Sequence, residues 1–402
     1  MTLLHGVIIA AAYAAIAVGR VPGLRMKRAT IALTAAVLLI VVGALTEEEA
    51  LHAIDLGTLL LLGAMMVINI NLRLGGFFRA VTSRTLRFAR TPGTLLALII
   101  ASSGILSALF LNDTICLMLT PLVVDITRRL QRDPIPYLIG LAVATNVGSV
   151  ATITGNPQNI IIGQASGIAY VSFMLALAPV AAFGLAICWF VIRLLFRHEF
   201  QGRLPDIELP PPQPFAPLLS RTLLVVGALL IAFLVGAPIV TAACAAAGVL
   251  LVSRLRPEKL LALDWDLLAF FAGLFAITGA IEATGLSAQF IQLTEPLLRA
   301  GIPGLSAMTA ILSNVVSNVP AVLLLQGAVP IFENPEQAWL TLAMASTLAG
   351  NFTLLGSAAT LIVAELADRR GVRLSFGVYL RAGIPITLLT LACGVIWLML
   401  TT

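Results

Sequence analysis

Asn112-Asp113-Thr114 sets a carboxamide, a carboxylate and a hydroxyl side by side inside the apolar run from Ser107 to Pro121. Oxygens placed like this can coordinate a dehydrated cation, and the carboxylate can also carry a proton. A carboxylate inside apolar sequence is costly, so Asp113 is a functional residue by default. Its structural alternative is a protonated side chain capping the helix that follows. The trio has an echo in the second half of the chain, where Asn314 and Ser317-Asn318 interrupt the apolar run from Ser313 to Leu325. A second pair of interruptions follows. Asn146 precedes Thr154-Gly155-Asn156-Pro157-Gln158-Asn159, and Gly350-Asn351 precedes Gly356-Ser357 and Thr360. Polar, Gly/Pro-broken hydrophobic segments at corresponding places in two halves point to the binding site of a secondary transporter. Of these, Asn112, Asp113, Thr114, Asn146, Thr154, Gly155, Asn156, Asn159, Asn314, Ser317, Asn318, Gly350, Asn351, Gly356, Ser357 and Thr360 are the candidates for binding substrate and ions, with Asn112, Asp113, Asn156, Asn318 and Ser357 the set proposed for sodium. A lone Asn in a membrane helix more often stitches helices together, at about 0.6 kcal/mol per bond. Repetition at matched positions is what argues for a site.

The breaks have a physical reason. In hydrocarbon every backbone N–H and C=O must be paired, so non-helical backbone survives only inside protein or beside a water-filled cavity. Pro157 cannot continue a helix and biases Asn156 toward extended geometry, and Gly155 supplies a permissive backbone. The first half-helix would then offer carbonyls to a cation, and the second would offer N–H groups to an anion.

The elements that must position these groups are membrane helices. The chain is 59% hydrophobic and 11% charged, with mean hydropathy +1.04, a balance that excludes a water-soluble fold. No basic region or cleavage site marks residues 3–19 as a leader, so they read as a first span. The four cysteines lie singly, without metal-ligand or disulfide spacing, and the three histidines fall at segment ends. Without a His/Cys/metal constellation or paired carboxylates, an enzyme is not expected. The net charge of +5 resides in loops flanking spans and does not imply nucleic acid.

Basic residues stay cytoplasmic. They cluster at Arg20/Arg25/Lys27/Arg28, Arg73–Arg90, Arg128/Arg129/Arg132, Arg193–Arg221, Arg254/Arg256/Lys259 and Arg369–Arg381, with Arg299 the exception. Glu47-Glu48-Glu49 and Glu333/Glu336 face the other side. Residues 3–19 then run inward, 29–45 outward and 56–72 inward; 93–127 leave and re-enter the cytoplasm; 135–165 run outward and 171–192 inward. After a Pro-rich connector, 219–236 run outward, 239–253 inward and 266–283 outward; 304–331 enter and leave outside; 338–364 run inward and 378–400 end outside. Both termini are thus expected outside a bacterial-type inner membrane.

The order repeats with opposite orientation. Gly63 and Gly75 match Gly273 and Gly285 at an offset of 210, Asn112 matches Asn318 at 206, and Gly155 matches Gly356 at 201. The expected architecture is an all-α polytopic membrane protein of two inverted-topology repeats, 1–197 and 218–402, joined by a cytoplasmic linker over 198–217. Each repeat carries five transmembrane helices, counting a broken one (135–165, 338–364), and a re-entrant hairpin (93–127, 304–331). Two antiparallel helices of ~17 residues rise about 26 Å each, so the hairpins could also be full spans. Segments 75–92 and 285–300 read as interfacial amphipathic arms.

Leu111-Asn112-Asp113-Thr114 with Thr120-Pro121, and Gly155-Asn156-Pro157-Gln158-Asn159, resemble the ion transporter superfamily over nearly the whole chain. That group holds divalent anion–sodium symporters, citrate–metal symporters, arsenite permeases and D-type sodium–proton antiporters. The motifs are most similar to its arsenite-permease and NhaD-like branch, including bacterial "anion transporter" members. Divalent-anion symporters carry Ser-Asn-Thr at both tips; here the tips read Asn112-Asp113-Thr114 and Ser317-Asn318-Val319. The resemblance implies re-entrant hairpins, unwound helices, a homodimer in the bilayer and an elevator movement against a dimeric scaffold. It also implies one coupling-ion site at the first tip with Gly155–Asn159, another at the second tip with Gly356–Thr360, and substrate between them.

The first functional reading is an ion-coupled carrier of a small anion or oxyanion. With no Lys or Arg expected in the core, the anion would rely on helix N-termini, Asn/Thr donors and co-bound cations. The second is a sodium–proton antiporter using Asp113. Sodium or a proton is the coupling ion in either case, and no cofactor is expected.

Overall fold

The computed structural model describes residues 2–18, 26–205, 217–252 and 263–402. Arg20, Arg25, Arg254, Arg256, Lys259 and the Pro210-Pro211-Pro212 run lie outside the described residues. The first half holds α1 (Thr2–Val18), α2 (Arg28–Val41), α3 (Glu47–Ala53), α4 (Leu56–Leu74), α5 (Phe77–Leu86), α6 (Pro92–Leu109), α7 (Asn112–Arg129), α8 (Pro134–Ser149), α9 (Pro157–Ser166) and α10 (Tyr170–Leu195). The second holds α11 (Pro217–Leu234), α12 (Ile239–Val252), α13 (Trp265–Ala283), α14 (Leu286–Leu298), α15 (Ile302–Val316), α16 (Asn318–Leu325) with a 3₁₀ turn at Gln326–Ile331, α17 (Pro335–Ala349), α18 (Ala358–Asp368) and α19 (Phe376–Thr401). There is no strand among the described residues. Helices α4, α6, α10, α13 and α19 are long and apolar enough to cross a membrane. Their outward residues, such as Phe183, Phe190, Ile396 and Leu400, form an apolar perimeter.

Local chemistry sets the helix starts. Asp133, Asn156 and Asn334 each stand before a proline and accept an N–H of the first turn with the side chain. Asp55 caps α4 through Thr58 N–H, and Asp264 caps α13 through Leu267 N–H. The acidic stretch expected as a loop is instead α3, because Thr46 and Glu49 form a reciprocal capping box. The Thr46 N–H and hydroxyl, both at 2.8 Å, hold the Glu49 carboxyl below the usual carboxylate range.

Packing sorts the helices into two groups. In one, α2 lies against α13 and α4 against α12; a methyl built on Gly273 would stand 2.7 Å from the Ala32 backbone, so these helices touch backbone to backbone. In the other, α6, α7, α8 and α10 pack with α15, α17, α18 and α19. Gly140 meets Leu96 and Ile100, and Gly148 meets the Gly104 backbone, so α6 and α8 run parallel. Asn112 and Cys116 reach Asn146 and Thr145, so α7 returns antiparallel to both. Helices α8 and α17 are the most enclosed, buried on every side through their C-terminal turns. Arg370 pairs with Asp125 at 2.9 Å and its carbonyl accepts from Arg128 at 2.7 Å, tying α18 to α7 across the two halves.

The amphipathic segments form α5 and α14, each entered through a left-handed glycine, Gly76 and Gly285. Gly75, the residue matched to Gly285 by sequence, is right-handed, so the backbone correspondence is one residue later. Phe77 of α5 stacks edge-on with Phe110 at 6.1 Å, in the turn between α6 and α7.

Candidate functional site

Two helix turns and two helix breaks converge. Phe110-Leu111 separates α6 from α7, so Asn112 and Asp113 open α7. Ser317 separates α15 from α16 with φ 83° and ψ 161°, a region that only glycine adopts without strain. Strain held at a tip marks a position that its surroundings over-determine. The breaks lie between α8 and α9 and between α17 and α18.

Both breaks are built alike. Asn156 and Ser357 have nearly the same extended backbone, φ −154° ψ 163° and φ −142° ψ 156°, and each accepts an N–H three residues on, from Asn159 at 2.9 Å and Thr360 at 3.2 Å. Gly155 sits on the Ser149 backbone and Gly356 on the Gly350 carbonyl. Neither glycine has positive φ. Gly155 is thus required for close approach rather than for an unusual backbone. The caps also revise the expected anion site. Pro157 has no N–H and that of Asn159 is capped, leaving only Gln158 N–H at the α9 start, whereas α18 presents Ala358 and Ala359.

A buried hydrogen-bond chain joins the parts. Asn112 N–H donates to Gly155 O at 3.0 Å, and its Nδ2 donates to Asn146 Oδ1 at 3.1 Å. Asn146 Nδ2 donates to Asn351 Oδ1 and Ser357 Oγ, both at 2.9 Å. Asn156 Nδ2 donates to Ser149 Oγ at 2.9 Å and Thr347 Oγ1 at 3.2 Å, and Gln158 Nε2 also reaches Thr347 at 3.0 Å. At the offset of 201, Asn146 corresponds to Thr347 and Asn156 to Ser357. The Asn146–Ser357 and Asn156–Thr347 contacts therefore exchange when the halves are swapped. Asn159 Nδ2 ties the first break through Ser149 O at 3.0 Å and Thr152 O at 2.9 Å, and Thr360 Oγ1 ties the second through Leu354 O at 2.9 Å.

A cavity of about 1220 Å³ opens beside this chain, between the α1/α2/α13 side and the tips. Asn112, Asp113, Ser317, Asn318 and Ser357 line it. The other sequence candidates stand outside its lining: Asn146, Gly155, Asn156, Asn159, Gly350, Asn351, Gly356 and Thr360 build the breaks, and Asn314 donates to Ala349 O at 3.0 Å. Thr114 accepts from Asn69 at 3.2 Å and Thr154 lies 3.3 Å from Tyr170 OH. Asn314 Oδ1, Asn318 Oδ1 and Ser313 Oγ are buried with no hydrogen-bond partner among the described residues.

No Lys or Arg is buried among the described residues, as expected of the core, but Lys27 and Arg28 from the end of a span line the cavity with Asp264, Asp266 and Glu365. Arg28 is the first residue of α2 rather than part of a loop, which turns it toward the tips. Arg28 and Asp264 line the same cavity as Asp113. Gln158, Thr347 and the buried pair Asn69 and Asn71 were also missed; the Asn-x-Asn pattern within α4 was the available signal for the last two.

The family described as "Citrate transporter" matches residues 13–349. The silicon efflux transporter LSI3 of Oryza sativa subsp. japonica is 30% identical over 93% of this chain and 93% of its own length. Inner membrane protein YbiR of Escherichia coli (strain K12) is 30% identical over 87% of this chain and 89% of its own. The crystal structure of the Alcanivorax borkumensis YdaH transporter superposes with a TM-score of 0.57 over 99% of this chain and 97% of that one, at 14% identity, a likeness of fold.

Proposed function

We propose, from the premise that this chain belongs to the citrate transporter family, that it is an ion-coupled carrier of a small anion or oxyanion working by alternating access. It is a multi-pass membrane transporter rather than an enzyme. One observation carries the mechanism. The buried contacts Asn146–Ser357 and Asn156–Thr347 exchange when the halves are swapped, as expected of inverted repeats meeting at a transport site. An elevator movement is supported by the two packed helix groups with α5 and α14 linking them. Lys27 and Arg28 at the cavity favour an inward-facing state in an inner membrane, with both termini outside.

Coupling sodium would use the orphaned oxygens of Asn314, Asn318 and Ser313 at the second tip, and Asn112 with Asp113 at the first. A buried oxygen without a donor is unfavourable, and a desolvated cation relieves it. Substrate would lie between Asn112, Ser317, Asn318 and Ser357, near the Ala358 and Ala359 N–H groups. A homodimer fits the family architecture.

Asp113 at the tip favours a second reading, sodium–proton exchange. Proteoliposomes containing a pH-sensitive dye separate the two when a sodium gradient is imposed without any anion. The carrier is expected to move no protons in that test and to accumulate a labelled anion when one is added. Citrate heads the panel because of the family's name, a soluble silicon compound follows as a solute that is uncharged at neutral pH because of the rice relative's name, and arsenite is next. The Asp113→Asn variant is expected to retain anion flux with a sodium requirement weakened about ten-fold, through loss of one charge from the ion site. Sodium-driven proton movement abolished in Asp113→Asn would instead establish the antiporter.

A further inference from the structure

Among the described residues that line the cavity, the charges do not all cancel in pairs. Lys27 pairs with Asp266 at 2.8 Å and Glu365 pairs with Arg369 at 2.6 Å, so each of these two cancels itself. Arg28, Asp113 and Asp264 remain, and among the described residues none of them forms an ion pair. The three line one cavity and carry one positive and two negative charges.

Their placement in the fold is unequal. Asp113 stands on the α7 tip, in the helix group that contains both breaks. Arg28 opens α2 and Asp264 caps α13, and these two helices are locked backbone to backbone at Ala32 and Gly273. Asp264 is held in place by accepting Leu267 N–H at 3.0 Å. The group that holds α2 and α13 thus presents an opposed pair of charges to a carboxylate on the group that carries the breaks.

We propose that Arg28 and Asp264 are affinity-setting residues for the coupling cation on the cytoplasmic face alone. This rests on the ion-coupled, elevator-type reading above, in which the α2/α13 group stays fixed while the tips move. A fixed positive charge near Asp113 weakens cation binding there, and a fixed negative charge strengthens it. Neither charge travels with the tip, so neither acts once the tip faces the other side. The opposed pair lets the carrier set the cytoplasmic affinity without altering the ligands that travel with the ion.

The test uses full-length protein in vesicles of defined orientation. The half-saturating concentration (K0.5) of sodium for flux is titrated from each face, with protons titrated in a parallel arm. Arg28→Gln is expected to lower the cytoplasmic K0.5 roughly three- to ten-fold and Asp264→Asn to raise it by a similar factor. Asn is itself a good N-cap, so Asp264→Asn removes the charge and keeps the α13 start. The Arg28→Gln/Asp264→Asn double variant should return close to wild type, the external K0.5 should stay put throughout, and both shifts should shrink at high ionic strength. Shifts of the same sign, or equal shifts from both faces, overturn the proposal and mark the residues as structural. Wild-type flux that neither sodium nor protons drive overturns the ion-coupled reading itself, and the proposal with it.

Discussion

Gly155→Ala is expected to cost about 3 kcal/mol or more and to abolish transport. The added methyl would overlap the Ser149 carbonyl and stand 2.8 Å from its Cα and 2.9 Å from its carbonyl carbon. These are backbone atoms and cannot step aside. Ser149 O already accepts from Asn159 at 3.0 Å and Asn156 at 3.3 Å, so moving it pulls on the cap that starts α9. Gly356→Ala at the second break should be milder. Its methyl would stand 2.8 Å from Gly350 O and 3.1 Å from Asn314 Oδ1, and the second of these belongs to a side chain that can turn. Thermal unfolding by intrinsic fluorescence and anion flux in proteoliposomes check both. Gly155→Ala with wild-type melting and flux would show that the break tolerates a side chain.

Asn146→Leu should destabilise comparably for a different reason. Asn146 is 1% exposed and its side chain makes three hydrogen bonds, accepting from Asn112 and donating to Asn351 and Ser357. Leucine keeps the branching and heavy-atom count of the side chain but is bulkier, so overpacking adds to a loss that is mainly polar. It strands Asn112 Nδ2 and Asn351 Oδ1 and takes a donor from Ser357, at about 1–3 kcal/mol for each group left unsatisfied. Because the three partners come from the first tip and the second break, coupling should show in a double-mutant cycle. Asn146→Leu with Ser357→Ala is expected to cost less than the sum of the single changes. Strict additivity of the melting shifts would show that the crossing contact carries no energy.

Much of the helix layout is legible in the sequence. Pro157 after Gly155-Asn156 marked where α8 could not continue, and the apolar runs placed the long helices closely because a membrane helix needs an uninterrupted stretch of apolar residues. Asn112 and Asn318 stood out as polar atoms in apolar runs. What stayed hidden depended on direction and partner. Arg28 in a basic cluster at a span end read as a loop residue, and only its position on the first turn of α2, beside α13, turns it into the cavity. Asp264 carries a cap signal, which explains its presence without revealing Asp113 across the cavity. Asn156 read as a ligand and is largely spent on capping α9 and bonding Thr347. The left-handed Ser317 left no compositional trace, because serine at such an angle is a choice imposed by tertiary contacts. Thr46-Glu47-Glu48-Glu49 is a second legible signal beside Asn69 and Asn71, a capping-box pattern that reads at first as a charged loop.

The central claim is that the site between the tips faces each side of the membrane in turn. Ser317 lines the cavity, and Ser317→Cys alters little in size. With Cys244 and Cys393, the two less buried cysteines, replaced by serine, the variant can be challenged in oriented vesicles with a membrane-impermeant thiol reagent from either face. The account predicts modification from the cytoplasmic face without ligands, and modification from the external face once sodium and a transported anion are supplied there. Modification from one face only, under every gradient that drives flux, would contradict alternating access.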